Sequence, residues 1–328
     1  MVTRYLEEQG KCLIGQDKID LAEAAIEQCI RLANQLGDVR EVAVGESELG
    51  NVRLAQQRYP EALAAYAEAR KRFTQLDEPG SVAASWHQAG MAYQAADQPE
   101  AAEDAYRKSL AIKVRLGDVA GQASTLNQLG NLYDDALDRP EEATAFYRQA
   151  ADKYVLTGDT AKEGVTRNNL GATLRKLRRF DEARQEIRQA IECNAKFGHA
   201  SEPWKSWAIL AAVETDAGNP TAAIEAQRKA LASYLAYRRD GGENHNTNGR
   251  ISLAVTQALL AGDTAQAASL LQQLAARPDA AWLLPFIHAL QAIVSGSRDA
   301  SLADAPELHY TMAAEIVLLI ETLAQAGR

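Results

Sequence analysis

The sequence predicts an all-α chain built as an array of helical hairpins, and three observations carry that prediction. Small residues recur at a fixed period: Gly10, Gly50, Gly90, Gly130, Gly171 and Ala211 stand 40, 40, 40, 41 and 40 residues apart. The composition suits helices packed through small side chains, with 47% hydrophobic but only 6% aromatic residues and just nine prolines. Ala and Leu, strong helix formers, fill most apolar positions. Gly-Asp pairs between the periods supply a positive-φ helix stop followed at once by a helix cap. A single hairpin cannot bury its own apolar face, so such units stack, and their core grows along one axis.

Each period holds two helices. The first centres on the small residue, and the second carries Ala22, Ala62, Ala102, Ala143, Ala183 and Ala223 in turn. Large residues follow four positions later at Ile26, Tyr66, Tyr106, Tyr147 and Ile187, and only Gln227 breaks the series. In the most regular unit, Ser124 to Ala150, Gly130 and Ala143 are small where antiparallel helices cross, and Tyr133 and Tyr147 fill the space beside the crossing. Linkers read Leu36-Gly37-Asp38, Leu116-Gly117-Asp118 and Thr157-Gly158-Asp159, decaying to Phe197-Gly198-His199. Asp38 with Glu41 predicts a capping box. Pro60, Pro99, Pro140 and Pro220 fall in the first turn of second helices, where a missing N–H costs nothing.

Beyond residue 235 the pattern weakens. Residues 240–249 form a Gly- and Asn-rich loop by composition. A seventh unit then places Val255 in the small-residue slot, followed by Ala267 and Leu271. An eighth centres on Ala289, with Pro285 starting or kinking its first helix. A last helix over 306–326 carries a polar stripe of Thr311, Glu315, Thr322 and Gln325 opposite Met312, Ile316, Leu319 and Leu323, the one-sided burial expected of a terminal cap. The expected organisation is therefore six regular hairpins over 1–240, continued by degenerate hairpins and a cap over 241–328.

The order Leu129-Gly130-x-x-Tyr133, a turn at Asp138-Arg139-Pro140, then Ala143, Tyr147 and Ala150 resembles the tetratricopeptide repeat. That resemblance implies a right-handed superhelix, here of seven to eight hairpins plus a C-terminal capping helix. The long period and Leu-Gly-Asp linkers resemble those of kinesin light chains, the LGN/Pins spindle-orientation scaffolds and the repeat arms of bacterial signalling ATPases. The function implied is a non-enzymatic scaffold that binds a protein or extended peptide in its concave groove. The alternative is a sensor or autoinhibitory arm excised from a larger signalling NTPase or effector, since the first helix starts at about Met1 with nothing capping it.

Composition narrows the partners. A net charge of −9 and a pI near 5.2 argue against nucleic acid, which calls for a basic stripe. Cys12, Cys29 and Cys193 form no CxxC pair, so neither a disulfide framework nor a zinc site is expected. Residues 1–15 do not read as a signal peptide and no apolar run is long enough to span a bilayer, so a cytoplasmic protein with no membrane partner is expected. No phosphate-binding loop, metalloprotease helix or nucleophile elbow occurs, and the five histidines share no spacing. Neither enzyme activity, cofactor nor metal is expected.

The candidate site follows from the repeat register and the resemblance together. Concave positions of the first helices read Asn51; His87 and Gln94; Asn127, Asn131 and Asp134; Asn168 and Arg175; then Lys205. Asn is a poor helix-interior residue, yet it recurs here four times. One reason would be ligand binding, because a side-chain amide both donates to and accepts from an extended backbone. In the LGN-type scaffolds, asparagines at comparable places clamp peptides. The competing reason is Asn contacts between adjacent repeats.

Overall fold

The computed structural model describes residues 19–305 and 307–327; the first-repeat helix around Gly10, with Cys12, and the expected helix start at Pro306 lie outside the described residues. Among the described residues every regular element is helical. The chain divides into two compact units, residues 1–179 and 180–328. The boundary falls within residues 1–240, the span expected from the sequence to form the six regular hairpins.

The first unit contains α1 (Ile19–Leu36), α2 (Val39–Ala55), α3 (Tyr59–Gln75), α4 (Pro79–Ala95), α5 (Pro99–Arg115), α6 (Val119–Asn131), α7 (Pro140–Thr157) and α8 (Thr160–Lys176). Consecutive helices pack as antiparallel neighbours throughout. Tyr66, Tyr106 and Tyr147 are the large buried side chains of three successive hairpins. Each lies with its ring against the glycine of the preceding first helix, and the atoms nearest a Cβ on Gly90 all belong to the Tyr106 ring. A Cβ on Gly90 would lie 2.6 Å from that ring. This is why the slot is glycine wherever the second helix carries tyrosine.

The linkers behave as their residues dictate. Gly37, Gly117 and Gly158 adopt φ values of 71°, 67° and 69°. Asp38, Asp118 and Asp159 then accept the amides of Glu41, Gly121 and Lys162 at 3.0, 2.8 and 3.1 Å. The capping box at Asp38 is only half formed, because the Asp38 amide donates to Ala33 O at 3.0 Å and Glu41 Oε1 is left buried without a hydrogen-bond partner among the described residues. Pro60, Pro99 and Pro140 occupy the first turns of α3, α5 and α7. After α6 the helix widens into a π turn, Leu132–Ala136, closed by Leu137 N–H donating to Leu132 O at 3.0 Å. The cause is in the sequence: Gly130 to Ala143 is one residue longer than Gly90 to Ala102, and the wider turn absorbs the insertion.

The second unit contains α9 (Phe180–Asn194), α10 (Pro203–Asp216), α11 (Pro220–Arg239), α12 (Thr247–Ala261), α13 (Thr264–Ala275), α14 (Leu284–Val294) and α15 (Tyr310–Gln325), with short 3-10 turns between some of them. Pro285 sits in the first turn of α14 and starts it. One apolar core joins α12 to α15 around Val255, Leu271, Phe286, Leu290 and Ile316. The polar stripe of the last helix is not solvent-facing along its length. Thr311 and Glu315 are 8% and 3% exposed, because residues 240–246 and the first turn of α12 fold over them. Glu315 accepts from Arg238 and from Asn244 Nδ2 (2.9 Å), and Thr311 accepts from Asn248 Nδ2 at 2.8 Å. The Asn-rich segment, helical from Thr247 on rather than a loop as far as residue 249, is thus a clasp on α15, while His245, paired with Glu243 at 2.9 Å, stays largely in solvent.

Candidate ligand-binding groove

The polar side chains expected on one face come from the first helices α2, α4, α6 and α8 of the first unit, with Asp134 on the π turn that continues α6. All eight are half-buried. Their hydrogen bonds sort them. Asn51 Oδ1 accepts the Tyr66 hydroxyl at 2.8 Å, Gln94 Oε1 the Tyr106 hydroxyl at 3.1 Å, and Asn131 Oδ1 the Tyr147 hydroxyl at 2.8 Å. Those three amides serve the tyrosines that fill the glycine slots, since a buried phenol needs an acceptor.

A second set joins one repeat to the next. Thr166 Oγ1 donates to Asn127 Oδ1 at 3.0 Å, Asn169 Nδ2 to Asn131 Oδ1 at 3.2 Å, and Thr173 Oγ1 to Asp134 Oδ2 at 3.1 Å. Lys176 Nζ adds an ion pair to Asp134 at 2.8 Å. Asn127, Asn131 and Asp134 therefore run as a row along α6 and its π turn, facing α8. Asn168 lies beside that row on α8, and among the described residues no hydrogen bond ties down its carboxamide; Oδ1 is buried without a donor there. Asp134 Oδ1 is likewise buried and without a partner among the described residues. Arg175 shares the helix with Asn168 and takes part in an interaction of its own.

One repeat earlier, His87 Nδ1 lies 3.1 Å from Thr125 Oγ1. That hydroxyl donates to Gly121 O (3.0 Å) and accepts from Lys113 Nζ (2.9 Å). Its one proton being spent, the histidine is the donor through Nδ1, which leaves Nε2 as an acceptor. Burial, and after it the Lys113 charge, lowers the His87 pKa to about 4, so the imidazole is neutral at pH 7. Lys113 is itself only 8% exposed, and burial lowers its pKa.

Lys205 does not join this group; it belongs to α10 in the second unit, where it pairs with Glu202. The residues that sequence reading missed are the hydroxyls. Ser85, Thr125, Thr166 and Ser206 all stand five places before the small-residue slot and are all buried. Their recurrence is a visible signal that this position faces a neighbouring helix. Among the described residues, no group of three or more His, Cys, Asp or Glu side chains could hold a metal ion. No helix among them is long and apolar enough to cross a membrane.

Tetratricopeptide repeat family profiles match residues 41–113, 81–154 and 121–196, and a second profile of the same description matches 168–237. Together they cover more than half of the chain. The chain belongs to the tetratricopeptide repeat family. No curated protein matches it in sequence. Solved structures share the fold at low identity. BtubC (BKLC) from P. vanneervenii aligns with a TM-score of 0.62 and 19% identity, over 70% of this chain and 94% of its own. A Rap protein complexed with competence and sporulation factor aligns with a TM-score of 0.55 and 13% identity, over 89% of this chain and 76% of its own. A point variant of a Podosopora anserina putative kinesin light chain with nearly identical TPR-like repeats gives 0.50 and 17%, over 59% and 94%. As a tetratricopeptide repeat protein, the chain has the architecture of a protein-interaction scaffold.

Proposed function

We propose that this scaffold takes an extended peptide along the first-helix face of its first unit, with the row on α6 and α8 as the centre of the site. The observation that carries the reading is hydrogen-bonding capacity left over after the internal bonds are counted. Asn127 Nδ2, the Asn168 carboxamide and Asp134 Oδ1 have no partner among the described residues. A buried acceptor without a donor costs about 1–3 kcal/mol, and peptide N–H groups are the donors that a passing strand supplies. His87 Nε2 extends the same set of acceptors toward α4. The Rap protein that shares the fold was solved with competence and sporulation factor, an example of this architecture holding a partner.

The test separates binding from folding. Asn168→Ala removes no internal hydrogen bond, so it should melt no lower than wild type while weakening partner binding by about 0.5–1.5 kcal/mol. Asn131→Ala strands the Tyr147 hydroxyl and should lower stability by about 1–3 kcal/mol. Pull-down with the intact chain supplies the partner, and calorimetric titration beside a thermal melt reads both quantities. Unchanged affinity in Asn168→Ala would place the ligand elsewhere.

A further inference from the structure

The first unit holds a second feature that the groove does not use. Between α3, α4 and α5 lies a crevice of about 170 Å³, floored by small side chains such as Ala67 and Ala89. At one end the Arg70 guanidinium lies 3.6 Å from the centre of the Trp86 ring, and Lys108 Nζ lies 4.5 Å from it. Arg70 is half-buried, and among the described residues no carboxylate pairs with it. Lys108 is held by Asp104 of its own helix, the one carboxylate in the crevice lining, whose charge that lysine offsets. The Tyr93 hydroxyl, also lining the crevice, has no hydrogen-bond partner among the described residues.

The neighbouring junctions show what is missing. One repeat earlier, Glu23 on α1 binds Arg53 and Arg58, at 3.4 and 3.0 Å. One repeat later, Glu103 on α5 accepts the Tyr133 hydroxyl at 2.6 Å and Arg107 at 2.7 Å. Tyr93 is the register equivalent of Arg53 and Tyr133, so an acid is expected opposite it. The position that is Glu23 and Glu103 in the flanking junctions is Leu63 here. The junction keeps Tyr93 as a donor, has Gln98 and Ala67 where Arg58 and Arg107 stand in the flanking junctions, brings in Arg70 from α3 instead, and lacks the acceptor.

We propose that this crevice is a docking site for an acidic side chain of a partner protein, whose carboxylate takes the place that Glu23 and Glu103 fill in the adjacent junctions. The guanidinium presents five N–H donors in a fixed fork and is held flat by the indole, the geometry that receives a carboxylate through two parallel bonds. Tyr93 supplies a third donor. The crevice has room for about one side chain, so the determinant is a single Glu or Asp flanked by aliphatic residues that cover Leu63 and Ala67. The site is separate from the first-helix face and does not depend on the proposal made for it.

The probe is an acetylated, amidated pentapeptide, Ala-Leu-Glu-Leu-Ala, and its Gln counterpart, titrated into the full chain. The signals are the indole N–H of Trp86 and the Nε–H of Arg70 in nitrogen-15 spectra. The Glu peptide should shift both signals and bind at least about fivefold more tightly than the Gln peptide, because a charged acceptor roughly doubles the strength of such bonds. Arg70→Met should abolish that preference. Leu63→Glu, which restores the internal acid, should fill the site from within and block the peptide while leaving the fold intact. Asn168→Ala should bind the peptide as wild type does, which separates this site from the groove. Equal response to both peptides, no shift at millimolar Glu peptide, or undiminished binding in Leu63→Glu would overturn the proposal.

Discussion

At the scale of single residues, glycine sorts into two kinds within one helix. Gly90 faces the Tyr106 ring, whereas a Cβ on Gly80, in the first turn of the same α4, would meet nothing within 4 Å. Gly80→Ala should therefore stabilise by up to about 1 kcal/mol through helix propensity alone. Gly90→Ala gains the same propensity but drives a methyl into a fully buried ring, and should destabilise by about 1–3 kcal/mol. Urea titration of the two variants reads the contrast directly. His87 adds a pH dependence. Its folded pKa of about 4 lies below the ordinary value of 6.5, so between those values the unfolded chain binds more protons. Stability should thus fall as pH drops from about 6.5 to about 4, by no more than about 3 kcal/mol from this group, and flatten below. His87→Gln should remove that part of the slope, and an unaltered slope would show that the imidazole is not the group responsible.

At the scale of elements, the period, the caps and the prolines are legible in sequence because each is local: Asp118 caps α6 by reaching an amide three residues on. The bonds between repeats are not, because they join residues 38 and 39 apart whose meeting depends on how hairpins stack. The asparagines stand out as unusual for a helix, but sequence offers no means of dividing them between tyrosine acceptors, inter-repeat bonds and unspent capacity. The π turn is countable as a single extra residue. Deleting exposed Ala136 should restore the regular interval between Gly130 and Ala143, and the variant should melt within a few degrees of wild type. The clasp on α15 is the opposite case. Glu315→Ala would leave the largely buried Arg238 beside Asn244 with no counter-charge, at a cost of about 3–5 kcal/mol. Hydrogen exchange should then rise first across residues 240–249 and the start of α15.

At the scale of the whole molecule, stability in a repeat array is a sum of hairpins and the interfaces between neighbours, so damage should stay near its source. Ala102 tests this because it is fully buried in the first turn of α5, with no room to turn a larger side chain outward. Ala102→Leu adds three methylene-sized groups to a closed crossing and should cost about 1–3 kcal/mol. In a globular protein with one core, that loss would lower the protection of every slowly exchanging amide together, because they share one global opening. Here the amides of α3 to α6 should lose protection first, while those of α12 to α15, which sit in a core of their own, should keep theirs. Native-state hydrogen exchange at a denaturant concentration well below the main transition resolves the two regions. A uniform fall along the chain would mean that the repeats open as one cooperative body, and the one-dimensional account of this fold would have to be given up.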